Sequence, residues 1–168
     1  MSNRSKWFTF FQKDICKMAS RILLILLFPG FVYAQVFTKD RFISNNHNLL
    51  WSETVEIKDM DTPVIVETLL DVLRAKQYVQ LDSLQVQGVI TGKLISPPNT
   101  TITKAAFRID VLYESYIVTV SDIIEKIQHR QIPLSDVLLQ KDGSFVPLFP
   151  ARIQALDEGF ISIFSITH

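Results

Sequence analysis

The sequence predicts an α+β fold of one strand, one helix and four antiparallel strands, followed by a less regular tail. Three observations predict it. Residues 49–57, 89–95, 105–113 and 116–120 alternate apolar with polar side chains, the period of a half-buried strand. Residues 63–76 repeat apolar side chains at helical spacing instead. Only Glu114-Ser115 separates the last two alternating runs, so they read as a hairpin.

Ahead of these elements, residues 1–34 read as an export signal. A basic lead ends at Arg21, an apolar run covers Ile22 to Phe28, and Val32 and Ala34 supply the small residues that signal peptidase requires before a cut at Ala34–Gln35. Pro29-Gly30 breaks the helix just ahead of the cut. The alternative is an uncleaved membrane anchor, since no charge occurs between Arg21 and Lys39. That stretch is 17 residues, the bottom of the spanning range. Lipid attachment would need a cysteine after the apolar run, and the single cysteine, Cys16, precedes it. Translation from Met18 would shorten the signal to 17 residues. The expected location is the periplasm or the medium, with no stable membrane span after cleavage, or the membrane face if the anchor stays.

Cleavage leaves 134 residues with 12 basic and 16 acidic side chains, net −4, and no cysteine. An acidic chain without a basic stripe repels phosphate backbones, which argues against nucleic acid as a partner. Without disulfides a hydrophobic core must hold the chain together, and one domain of this size typically buries about two-thirds of its unfolded surface.

Residues 35–48 are polar, contain Asn45-Asn46-His47-Asn48, and read as a flexible lead to a single domain at 49–168. Leu49, Trp51, Val55 and Ile57 share one face of the first strand, with Glu53 the exception; Ser52, Thr54 and Glu56 face the other way. Asp59-Met60-Asp61-Thr62-Pro63 then supplies a turn and a helix start, with Thr62 as cap and Pro63 at the first position. Ile65, Leu69, Val72 and Leu73 form the apolar stripe, and Arg74 and Lys76 meet the negative end of the helix dipole. Val79 to Val86 is a strand with a change of phase at Asp82-Ser83, Gly88 turns, and 89–95 returns. After the loop at Pro97-Pro98-Asn99, Ala105, Phe107, Ile109, Val111 and Tyr113 alternate with Lys104, Arg108 and Asp110. Tyr116, Val118 and Val120 complete the hairpin. In the tail, Asp142-Gly143 is a turn, and Ile153, Leu156, Phe160 and Phe164 would line a closing helix, although 160–166 is also strand-like.

This order, with Trp51-Ser-Glu-Thr-Val-Glu-Ile57, the helix after Pro63, Gly88-Val-Ile-Thr-Gly-Lys93 and Tyr116-Ile-Val-Thr-Val-Ser-Asp122, resembles DUF4468, an exported Bacteroidetes domain of unknown function with a TBP-like fold. The resemblance covers about residues 49–124. It implies an antiparallel sheet with helices packed on one face, and it transfers no catalytic residue. The fold's name points to a DNA-binding saddle, but fold does not fix function, and both the charge and the export signal oppose that analogy.

No residue set forms a catalytic signature: there is no G-x-S-x-G elbow, no H-E-x-x-H and no phosphate-cradling glycine loop. His47, His129 and His168 lack the spacing of ligands on one helix and read as solvated. Asp59 and Asp61 are too few oxygens for calcium and suit turn and capping duty. Tyr78, Tyr113 and Tyr116 fit packing over a core edge better than an aromatic binding patch. No cofactor or metal is expected. Two function classes follow. The first is a non-enzymatic binding module whose open sheet face, bearing Ser52, Thr54, Glu56, Lys104, Arg108 and Asp110, meets an envelope protein, a glycan or a small ligand. The second is a hydrolase whose site is assembled only in the fold.

Overall fold

A computed structural model describes residues 36–82, 88–147 and 149–166. Residues 1–34, read from the sequence as an export signal, the second half of the strand read over Val79 to Val86, and His168 lie outside the described residues. The described chain forms β1 (Val36–Lys39), β2 (Phe42–Asn45), β3 (Asn48–Glu56), α1 (Thr62–Arg74), β4 (Val79–Leu81), β5 (Val89–Ile95), β6 (Ile102–Leu112), β7 (Ser115–Ile127), β8 (Arg130–Pro133), α2 (Leu134–Leu138) and α3 (Pro150–Phe164). Its strands pair antiparallel in one sheet, ordered β1-β2-β3-β7-β6-β5-β4, with β8 against the far part of β7. The fold class is α+β, as the alternating runs predict.

Residues 36–48 correct the expected flexible lead: they are the hairpin β1-β2 and the start of β3. Asn46 and His47 both take positive φ, 49° and 63°, the backbone of a two-residue turn whose twist matches the flanking strands. Asparagine tolerates this region because its short side chain bonds locally. Phe42 and Ser44 then fall opposite Trp51 and Leu49, and all four are buried.

One sheet face carries the core. Phe42, Trp51, Val120, Phe107 and Gly92 follow one another across β2, β3, β7, β6 and β5. Gly92 is required there, because a Cβ would sit 2.4 Å from the Gln80 carbonyl oxygen and 2.7 Å from the Phe107 ring. α1 closes this face with Ile65, Leu69 and Leu73, all buried. Its cap differs from expectation: Asp61 precedes the helix, and the Thr62 hydroxyl donates to the Leu112 carbonyl at 3.1 Å rather than capping helix amides. α3 settles the ambiguous tail as a helix. Its Ile153, Leu156, Phe160 and Phe164 are buried, with the Phe160 ring 5.2 Å from that of Trp51 and the Phe164 ring 5.3 Å from that of Phe107. The ends of the two helices are tied together on this face: Lys76, just after α1, donates to the Ile163 carbonyl of α3. Lys76 thus meets the C-terminal end of α3.

Candidate functional site

The opposite sheet face carries neither α1 nor α3, and the six residues read from the sequence lie on it. Ser52, Thr119, Arg108 and Thr91 form one row across β3, β7, β6 and β5, and Thr54, Ile117, Asp110 and Val89 form the next. Each row is about 14 Å wide at the usual strand spacing. Glu56 opposes Ser115 one row further on. Lys104 lies toward the other end of β6, opposite Ile95. Thr54, Glu56, Lys104 and Arg108 are exposed, and Ser52 and Asp110 half-buried.

Of the six, the structure brings Arg108 and Asp110 into direct contact. They are two apart on a strand and so share a face. Arg108 Nε lies 2.8 Å from Asp110 Oδ2, and its Nη2 lies 2.6 Å from Oδ1, a planar two-bond pair near the middle of the face. The hydrogen bond from Arg108 holds the Asp110 carboxyl below its ordinary range, against a smaller opposing push from burial. Ser52, Thr54, Glu56 and Lys104 stand apart from this pair, so the face is an extended polar surface and not a convergent site.

Two buried carboxylates escaped the sequence reading. Asp157, on α3, accepts from Trp51 Nε1 at 2.7 Å and from Arg41 Nη1 at 2.7 Å, and Arg41 also pairs with Glu53. Glu53, the odd residue of its strand, thus points to the core because Arg41, in the β1-β2 turn, is there to meet it. The signal was present, an acid on an apolar stripe, but its partner lay in a segment read as a flexible lead. Glu125, 1% exposed, accepts from Thr101 Oγ1 and Arg152 Nη2. Both acids are held by a guanidinium and a further donor, an arrangement that fixes α3 to the sheet. Among the described residues no group of three or more His, Cys, Asp or Glu could hold a metal ion.

The remaining residues behave individually. His47 Nε2 is 2.6 Å from the Lys141 carbonyl oxygen, so it ties the β2-β3 turn to the tail. His129 is exposed. Asp59, with φ of 61°, is a turn residue. Tyr116 is fully buried while Tyr113 is 69% exposed, so the tyrosines form no patch. No described helix is long and apolar enough to cross a membrane.

No family model matches the chain, and no curated protein does. It is similar to a solved TBP-like protein from Parabacteroides distasonis, with 16% identity over 70% of this chain and 86% of that one, at a TM-score of 0.43. It is also similar to a solved DUF4468 family protein from Bacteroides ovatus, with 12% identity over 81% of this chain and 93% of that one, at a TM-score of 0.49. These two neighbours bear the descriptions, DUF4468 and TBP-like, that the resemblance over residues 49–124 carries.

Proposed function

We propose that the chain is an exported, non-enzymatic binding module that meets an envelope or secreted protein through its open sheet face. The observation that carries this reading is the Arg108–Asp110 pair on a broad polar surface carrying neither α1 nor α3. A planar pair of fixed geometry offers donors and acceptors to a facing surface without ordering long side chains on binding. A flat face suits a protein better than a small molecule, which needs a concavity. The hydrolase reading is second, because the buried acids Glu125 and Asp157 already hold arginines.

The test is the pair of reversals Lys104→Glu and Arg108→Glu in an affinity capture from the native envelope. Stability should move by less than about 1 kcal/mol, since exposed ion pairs contribute little, while recovery of the partner should fall. Full recovery by the reversed protein overturns the reading. So does turnover of a substrate that disappears when one buried acid is replaced.

A further inference from the structure

β7 changes partners along one edge. β3 pairs with it from Glu56↔Ser115 to Trp51↔Val120, and β8 from Ile124↔Pro133 to Ile127↔Arg130. Residues 121–123 of that edge face neither strand. The pairing with β6 also shifts register here, and Asp122 takes a φ of 49°. A bulge of this kind bends a strand and re-aims its side chains, and such bulges occur often beside functional sites.

The gap between the ends of β3 and β8 is a cavity of about 490 Å³, within the size range of small-molecule sites. Its polar lining is Asn45, His47, Asn48, Ser121, Asp122 and Ser135. The side chains of Asn45, Asn48, Ser121 and Asp122 make no hydrogen bond to another described residue. His47 meets the Lys141 carbonyl through Nε2, which leaves Nδ1 for a further hydrogen bond. Leu50 and Ile123 add apolar wall.

We propose that this cleft binds a small neutral polyhydroxylated molecule about the size of one sugar ring. The chemistry of the lining selects that class. No lysine or arginine lines the cleft to neutralise an anion. Asp122 is its only carboxylate, whereas a hard cation takes six or more oxygens. Three strand residues span about 10 Å, and the gap is closed at both ends by β3 and β8, so an extended peptide has no way through. What remains is a mixture of amide, hydroxyl, imidazole and carboxylate groups, which both give and accept hydrogen bonds, as ring hydroxyls do. The apolar wall suits the C–H face of such a ring.

Titration of the ¹⁵N-labelled protein with D-glucose, N-acetyl-D-glucosamine and myo-inositol tests this by NMR. At least one should give saturable amide shifts confined to residues 45–50, 121–124 and 134–135. Asp122→Gly, which keeps the positive φ, and Asn48→Ala should each weaken binding about tenfold, the effect of losing one well-made hydrogen bond. The Arg108→Glu protein should bind the same probe unchanged, which separates this site from the open sheet face. The proposal is overturned by no saturable shift at these residues with any of the three probes, by shifts there with inorganic phosphate or calcium instead, or by unchanged affinity in both cleft variants.

Discussion

Tyr116 has no exposed surface, and its hydroxyl donates to the Phe164 carbonyl at 2.7 Å, close to the end of α3. Burial pushes its pKa from 10.0 up to about 12, against a smaller pull from the Ile166 backbone. A phenol with a raised folded pKa stabilises the fold fully below its unfolded pKa, and that contribution is lost as the pH rises through the folded value. Denaturation midpoints should therefore fall between pH 10 and about 12. Tyr116→Phe should make that fall shallower and cost about 1–3 kcal/mol at neutral pH, because it leaves a buried carbonyl unpaired. Asp157 offers a second check. Asp157→Ala leaves the Trp51 indole N–H without its acceptor and leaves Arg41 with Glu53 alone, for a loss of about 1–3 kcal/mol. Asp157→Asn keeps an acceptor for the indole and should lose less by urea denaturation.

At the scale of elements, the strongest test falls on β6, whose alternation puts Phe107 and Ile109 on the core face; they are 3% and 0% exposed. Phe107→Ala should cost about 3–5 kcal/mol, since it removes a ring packed against Phe164 and leaves a cavity beside Gly92. A change near zero in a denaturation experiment would put that strand in the wrong phase. The helix at 150–164 was ambiguous because Phe160 to Ile166 satisfies period two and period 3.6 alike. In the hairpin β1-β2 the one sequence signal is the asparagine before His47 at the turn; Phe42-Ile43-Ser44-Asn45 does not alternate apolar with polar, because the residue buried beside Phe42 is the polar Ser44. Four-residue strands are too short for alternation to stand out from a polar background.

For the whole molecule, the export reading rests on residues 1–34 alone. Its expected outcome is a mature protein beginning at Gln35, checked by N-terminal sequencing of exported material. Recovery of a membrane-embedded species that still carries Ile22 to Phe28 would support the anchor instead. If export holds, the acidic mature chain, net −4, would reach a partner with little long-range attraction to polyanions.

The sequence by itself determined the fold class, the order from β3 to the β6-β7 hairpin, the helix at 62–74 and the face on which Ser52, Thr54, Glu56, Lys104, Arg108 and Asp110 lie. Those are local matters, set by the period of side chains along a single element. Only the tertiary structure decided the rest. That Arg41 meets Glu53 and Asp157, that Glu125 meets Arg152, and that β3 and β8 share one edge of β7 all depend on residues distant in the chain. Periodicity shows which way a side chain faces and nothing about what faces it. The partners of buried charges, and the gap where two strands fail to meet, exist only once the sheet is assembled.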